Sequence, residues 1–266
     1  MLRNITIGQY YPVDSYIHNL DPRVKIMGTF VYIISLFLVP NFIGYGIVLL
    51  FLWMLIRISK VPFSYIVRGL KSIIMILIFT LGLNVFLTPG EYVLFQWKFI
   101  QVTGEGIYIA LFMGVRLILL IMGSSLLTLT TSPIQLTDGI ENLLSPFKKI
   151  GVPSHEIAMM MTIALRFIPI LLEETDKIMK AQMARGADFE SGGFIKRAKS
   201  LIPILIPLFI SAFRRADELA LAMEARCYRG GENRTRLKQL AMKKEDYKAI
   251  VIIGSLVIAL VLLRMV

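Results

Sequence analysis

Two arginines, Arg185 and Arg226, have the side-chain type and the surroundings best suited to binding a partner. Four residues recur at a constant offset of 41 positions: Asp176, Ala181, Ala184 and Arg185 return as Asp217, Ala222, Ala225 and Arg226. A guanidinium among small alanine side chains can enter an acidic groove and pair with a carboxylate through two parallel hydrogen bonds. The repeat therefore predicts two matched docking points for another protein.

Helix capping is the competing explanation for this pattern. Both arginines end amphipathic charged stretches, and Gly186 and Gly230 fit the C-cap positions of two helices. An arginine in the last turn is also favoured by the helix dipole, by about 0.3–1 kcal/mol at an exposed site. Neither effect accounts for the alanines beside both arginines, which allow a second surface to approach closely. Docking is therefore the preferred interpretation.

Sequence signatures of catalysis and of ion coupling are absent. No P-loop motif for binding nucleotide phosphates occurs, and His18 and His155 stand apart from any cysteine or carboxylate at metal-ligand spacing. The predicted spans contain no Asp or Glu, although ion-driven transporters usually place carboxylates there. We expect no bound cofactor or metal, and any ATP that drives transport must be hydrolysed by another chain. Arg116 either snorkels to the external interface, which is the preferred interpretation, or lines a cavity or pairs with a partner subunit.

The elements that position these residues belong to a membrane protein. Of the 266 residues, 56% are hydrophobic and 18% are charged, and the mean hydropathy is +0.70. Uncharged blocks near the length of a helix that crosses about 30 Å of hydrocarbon occupy residues 26–56, 72–90, 117–137 and 249–263. The first block is too long for one span, and Pro40-Asn41 predicts a turn between two short helices.

Charge distribution predicts the orientation of the chain. A net charge of +11 could indicate nucleic acid binding, but in a membrane protein an excess of Lys and Arg first marks the cytoplasmic side. Of 29 basic residues, 19 lie between Lys148 and Lys248, whereas the 88–106 connection holds only Lys98. We therefore predict a cytoplasmic N-terminus, an external 88–106 loop, and no nucleic acid partner.

The predicted architecture is an all-α polytopic membrane protein with about five transmembrane helices, within a range of four to six. It has four segments: 1–23 is cytoplasmic, 24–130 forms a bundle of about four spans, 131–248 is a cytoplasmic or interfacial region of amphipathic helices with the two Ala-Arg motifs, and 249–266 is the last span. Within 131–248 the apolar runs are too short or too interrupted by proline to cross reliably, so its helices are interfacial or re-entrant.

Several motifs occur together along the chain. Gly8-Gln9-Tyr10, Asp14-Ser15 and His18-x-Leu20-Asp21-Pro22-Arg23-x-Lys25 precede the first span, and Ala184-Arg185-Gly186 and Ala225-Arg226-Cys227 follow the bundle. Together they resemble the transmembrane T component of energy-coupling factor (ECF) transporters, and the resemblance covers essentially the whole chain.

The resemblance implies a non-catalytic subunit of the bacterial cell membrane. It would link an exchangeable, substrate-binding S component to two ABC-type ATPases, which bind the ATP and Mg. Six residues would dock on the ATPases: Ala184, Arg185, Gly186, Ala225, Arg226 and Cys227. Cys227 stands where the family usually has Gly or Ser. The usual cargo is vitamins or transition-metal ions, and the S component selects it.

Two other functions compete with this interpretation. A stand-alone secondary transporter would share the spans but would need carboxylates inside the membrane. A membrane-bound enzyme could use Glu173, Glu174 and Asp176 as acid and base. On a charged helix face, however, these carboxylates fit better as partners of Lys177 and Lys180.

Overall fold

The computed structural model describes residues 10–89, 92–97, 100–189, 193–231 and 240–265. Its elements in chain order are α1 (Pro22–Leu38), α2 (Phe42–Ser59), α3 (Phe63–Leu87), β1 (Val93–Trp97), β2 (Ile100–Thr103), α4 (Gly104–Thr130), α5 (Pro133–Leu144), a 3₁₀ helix (Ser145–Ile150), α6 (Ser154–Ala184), α7 (Phe194–Ser200), α8 (Ile202–Ala225) and α9 (Lys244–Met265). Gly8 and Gln9 of the N-terminal motif lie outside the described residues.

The chain divides into two compact units. The bundle unit comprises residues 8–139 and 239–266, and the other, here called the crossed-helix unit, comprises residues 1–7 and 140–238. The two arginine motifs lie in the crossed-helix unit, and the N-terminal motif from Tyr10 to Lys25 lies in the bundle unit.

The predicted all-α polytopic fold is confirmed. Among the described residues, α2, α4, α6 and α9 are long and apolar enough to cross a membrane, and α3, bent by 58° between Lys71 and Ile73, makes a fifth. The predicted turn at Pro40-Asn41 is also confirmed, because it falls between the end of α1 and the start of α2. Helix α6, from the segment predicted as interfacial, is 31 residues long and has the length and composition of a span.

Two local features differ from the sequence-based expectation. The 88–106 connection, expected to be a plain loop, contains an antiparallel hairpin in which Trp97 pairs with Ile100. The fourth span is shifted towards the N-terminus relative to the uncharged block 117–137, because α4 begins at Gly104 and ends before Pro133 starts a new helix. Helix α4 therefore contains Arg116.

Aromatic side chains accommodate Arg116 within the bundle. Its Nε donates a hydrogen bond to the Tyr45 hydroxyl at 2.8 Å. Its guanidinium lies 5.1 Å from the ring centroid of Phe112 and 5.4 Å from that of Phe37. Cation–π contacts of this kind are most favourable where water is excluded. The arginine thus links α4 to α1 and α2 and contributes to helix packing.

The apolar core of the bundle unit is formed by α1, α2, α4 and α9. Its buried members are Tyr32, Leu36, Val39, Tyr45, Val48, Leu52, Leu119, Leu256 and Leu260. Gly123 allows the Tyr32 ring to lie directly against α4, where a Cβ would collide with it. The Tyr32 hydroxyl donates to the Leu119 carbonyl at 2.8 Å, so this buried polar group is satisfied.

A buried lysine joins the N-terminal segment to the end of α4. Lys25 is only 7% exposed, and its Nζ donates to the carbonyls of His18 at 2.8 Å and of Thr130 at 3.0 Å. The Tyr11 N–H donates to the Leu129 carbonyl at 2.9 Å and adds a second link to the same helix end. Charged donors satisfy carbonyls that burial removes from water.

Two aspartates connect the same region to α9. The Asp246 carboxylate is 1% exposed and accepts the backbone N–H groups of Asp21 and Lys243, both at 2.7 Å. Asp21 caps α1 by accepting the Arg23 N–H at 2.9 Å, next to Pro22 at the first helical position. Burial alone would raise the pKa of the Asp21 carboxyl, but Arg23 outweighs this effect and lowers it. Burial lowers the pKa of His18, which favours its neutral form.

Replacing Lys25 should destabilise the bundle unit. Lys25→Met leaves two buried carbonyls without their donor and should lower the free energy of unfolding by about 2–3 kcal/mol. Thermal unfolding of the full chain in detergent, followed by tryptophan fluorescence, measures the change. Lys71→Met is the control because Lys71 is exposed, and its melting temperature should stay close to wild type. Equal melting temperatures for both variants would contradict a structural role for Lys25.

Candidate docking motifs

Helix α6 ends in a turn that fixes the position of Arg185. The Gly186 N–H donates to the Met183 carbonyl at 2.9 Å, and the Ala187 N–H donates to the Gln182 carbonyl at 3.0 Å. Gly186 has a φ of +89°, the left-handed conformation that closes a Schellman motif. Arg185 is thus the last residue before the reversal, and its side chain is exposed.

Helix α8 ends with the same hydrogen-bond pattern. The Cys227 N–H donates to the Glu224 carbonyl at 2.8 Å, and the Tyr228 N–H donates to the Met223 carbonyl at 3.0 Å. Cys227 has a φ of +55° and takes the place that Gly186 has at the end of α6. Arg226 is exposed at the helix end in the same way. The sequence repeat is therefore also a repeat of backbone geometry.

The cap prediction is confirmed for Gly186 and wrong for Gly230. Helix α8 ends at Ala225, and Cys227 supplies the left-handed residue. Gly230 also has a positive φ, of +86°, but it lies beyond the helix end. The error came from assuming that glycine must close the motif, whereas the offset of 41 identifies position 227 as the equivalent of position 186.

Helices α6 and α8 contact each other at equivalent positions of the repeat. The Arg215 Nη2 atom lies 3.5 Å from the Glu174 Oε2 atom, and the two residues are 41 positions apart. The Gln182 side chain donates to the Pro203 carbonyl at 3.5 Å, so a later part of α6 meets an earlier part of α8. The two helices therefore pass each other in opposite senses. A contact between equivalent residues is typical of two-fold related elements.

The crossing places the two arginines on opposite sides of it. Each arginine lies eleven residues beyond its crossing residue, Glu174 or Arg215, which is about 16 Å along a helix. Among the described residues, the crossed-helix unit contains the ion pair of Arg215 with Glu174 and a contact of the His155 ring with Glu141, so neither motif arginine is paired within that set. Within the described residues both motif arginines are thus exposed and have no carboxylate partner.

The contact at the crossing differs from the sequence-based prediction. Glu174 was expected to pair with lysines of its own helix, but it pairs with Arg215 of α8. The offset of 41 was the available signal, because Glu174 and Arg215 occupy equivalent positions with opposite charges. The contact between His155 Nδ1 and Glu141 Oε1, at 3.1 Å, had no comparable sequence signal.

An apolar stripe covers one side of α8 before the motif. Its members are exposed and follow one another at helical spacing: Ile202, Ile206, Phe209, Ile210 and Phe213. Phe209 and Phe213 are 62% and 68% exposed. Such a surface fits either bilayer or an apolar partner. The C-terminal end of the same helix carries the exposed Arg226.

Comparison with known proteins shows the family to which this chain belongs. The family model described as "CbiQ: Cobalt transport protein" matches residues 14–237. Proteins named energy-coupling factor transporter transmembrane protein EcfT align over nearly their whole length. The one from Clostridium kluyveri is 62% identical over 250 residues, which cover 94% of this chain and 93% of the relative. The chain belongs to the EcfT/CbiQ family.

More distant EcfT proteins keep the same full-length alignment. The Thermosediminibacter oceani protein is 56% identical over 263 residues, 99% of each chain. The Bacillus subtilis protein is 47% identical over 264 residues, covering 99% of this chain and all of the relative. This membership makes the chain a membrane subunit of an ECF-type transporter, in agreement with the resemblance of its motifs.

Substituting Cys227 should test the motif geometry. Cys227→Gly removes the cost of a left-handed residue that bears a side chain, and it should raise the stability of the chain by about 1 kcal/mol. The reciprocal Gly186→Cys change should lower it by a similar amount, because position 186 has the same backbone conformation. Thermal unfolding of both variants in detergent measures the difference. A Cys227→Gly variant less stable than wild type would show that the thiol contributes more than its backbone costs.

Proposed function

We propose that this chain is the coupling subunit of an ECF-type importer. It binds two ABC-type ATPases through Arg185 and Arg226 and passes their movement to a membrane-embedded S component that carries the substrate. The chain itself hydrolyses nothing. The observation that supports this proposal best is the repeated helix end, since two unrelated caps would not share backbone geometry, alanine neighbours and an exposed arginine.

The spacing of the motifs suits a pair of similar ATPases. Two subunits that open and close about an approximate two-fold axis need two equivalent contacts on the protein they move. The contact of Glu174 with Arg215 relates α6 and α8 by an approximate two-fold axis, with one motif arginine at the C-terminal end of each helix. An exposed guanidinium can pair bidentately with a carboxylate in an ATPase groove. Movement of either ATPase would then directly displace the helix end that it binds.

The apolar stripe of α8 is the proposed contact with the S component. It lies on the same helix as Arg226, so a displacement of the motif is carried along a continuous helix to Phe209 and Phe213. An S component embedded in the bilayer would present apolar side chains to this stripe. A change in its tilt would release the substrate inward. Cobalt in the family name and the vitamins implied by the resemblance are both suitable cargo, and the S component selects between them.

A stand-alone transporter is less well supported. Helices α2 and α3 contain no carboxylate, and those of α4 and α9 lie in their first turns. Asp246 of α9 is already engaged with backbone N–H groups. In α6, Glu156 lies in the first turn, and the other carboxylates occur near the charged C-terminal end, where Glu174 pairs with Arg215. None of these positions offers the cluster of buried carboxylates expected for ion coupling.

Charge reversal at both motifs should release the ATPases. Arg185→Glu combined with Arg226→Glu replaces attraction to a carboxylate by repulsion, and the ATPases should no longer co-purify with the chain from membranes. The matched control is Lys177→Glu combined with Arg214→Glu, which makes the same two charge reversals at exposed positions of the same helices away from their ends. The control complex should remain intact. Docking is wrong if the motif variant still binds both ATPases and supports uptake.

Single substitutions should show whether each arginine serves one ATPase. Arg185→Ala or Arg226→Ala alone should lower substrate-stimulated ATP hydrolysis by reconstituted transporter about ten-fold or more, since loss of a charged hydrogen bond costs about 1.5–3 kcal/mol. The amount of folded chain should not change because both side chains are exposed. A lower yield of folded protein in place of lower coupling would point to a capping role.

A further inference from the structure

A groove in the bundle unit is separate from the motifs discussed so far. It lies between α2, the start of α3 and α4, and encloses about 880 Å³, within the roughly 300–1,000 Å³ typical of ligand sites. Its apolar wall includes Leu49, Leu52, Trp53, Val115, Ile118 and Met122. Leu52 is buried, whereas Leu49 and Trp53 are each 58% exposed, so the groove has a packed floor and an open side.

Two cations stand at one end of this groove. Arg57 lies in the last turn of α2, and Lys60 is its C-cap residue with a φ of +56°. The Arg57 guanidinium lies 5.2 Å from the Trp53 ring centroid, and the Lys60 Nζ donates to the Asp14 carbonyl at 3.3 Å. Neither forms an ion pair among the described residues. The sequence contains no Asp or Glu between Asp21 and Glu91.

We propose that this groove binds an anionic phospholipid of the cytoplasmic leaflet. An acyl chain lies along Leu52, Val115 and Ile118, and the phosphate and its headgroup lie near Arg57 and Lys60. The apolar channel matches the acyl chain of a phospholipid, and the cations at its end match the anionic headgroup. Trp53 stands beside the cations, where tryptophan is favoured at the membrane interface.

The charge at the groove end selects against zwitterionic lipid. Basic pockets between helices on the cytoplasmic side favour anionic headgroups, because a zwitterionic lipid brings its own ammonium group next to the cations. The predicted orientation puts Arg57 and Lys60 on that side, together with Arg68 and Lys71. The site does not depend on the ATPase contacts, so it can be tested on the full chain alone.

Fluorescence of Trp53 can report occupancy of the groove. The chain has two tryptophans, and Trp97→Phe leaves Trp53 as the only one. The full chain is reconstituted into phosphatidylcholine vesicles that contain phosphatidylglycerol or phosphatidylcholine brominated on the acyl chains. Quenching should show a preference of roughly ten-fold for phosphatidylglycerol. Arg57→Gln combined with Lys60→Asn, which tolerates the left-handed backbone, should reduce this preference to about one.

Matched variants separate a built site from general surface charge. Arg68→Gln combined with Lys71→Gln removes the same charge outside the groove and should keep the preference. The exchange Arg57→Lys with Lys60→Arg keeps both charges and should also keep the preference for phosphatidylglycerol. Val115→Phe narrows the channel and should lower the quenching. The proposal is overturned if wild type shows no preference for phosphatidylglycerol. It is also overturned if the variant at positions 57 and 60 and the variant at positions 68 and 71 lose the preference equally. It also fails if millimolar inorganic phosphate abolishes the preference, or if Val115→Phe leaves the quenching unchanged.

Discussion

The position at which α6 and α8 stop is the constraint on which both candidate docking points depend. A helix leaves its last carbonyl groups without partners, and a left-handed residue allows the following N–H groups to turn back and satisfy them. Gly186 and Cys227 do this at equivalent positions. Because the chain reverses directly after each arginine, Arg185 and Arg226 stand at the ends of their helices. The position of each arginine at a helix end is thus set by backbone hydrogen bonds.

The crossing of the two helices makes their ends act as a pair. Contact between Glu174 and Arg215 joins equivalent points, and each arginine lies the same number of residues beyond it. The charge pair is partly exposed, where an ion pair contributes only about 0–1 kcal/mol. The ion pair therefore contributes more to the alignment of α6 with α8 than to the stability of the fold. This ion pair would therefore add little resistance to a change in crossing angle, which the proposed coupling to two moving ATPases would require.

The sequence predicted the elements whose signal is local and missed those that depend on contacts. Uncharged blocks, the break at Pro40-Asn41 and the repeat of 41 residues are all visible in the printed chain. The extent of α4 is not visible in the sequence. An apolar helix tolerates Arg116 because Tyr45 and Phe112 lie against it, and these contacts appear only in the folded structure. The hairpin of β1 and β2 was missed because 88–106 gives no clear alternating pattern. Cys227 was overlooked as a cap because its side chain makes the left-handed conformation unfavourable without a tertiary reason.

The two groups of motifs that support the family resemblance have different physical roles. The residues from His18 to Lys25 are largely buried, and their charges are used to satisfy backbone groups between α1, α4 and α9. The motif arginines are exposed, and they form no ion pair among the described residues. Similarity in the N-terminal motif therefore reports the fold of the bundle, whereas the arginine motifs are the ones of these two groups that are proposed to bind partners. A protein with the first motif but without the second would share this architecture and lack the proposed means of receiving force.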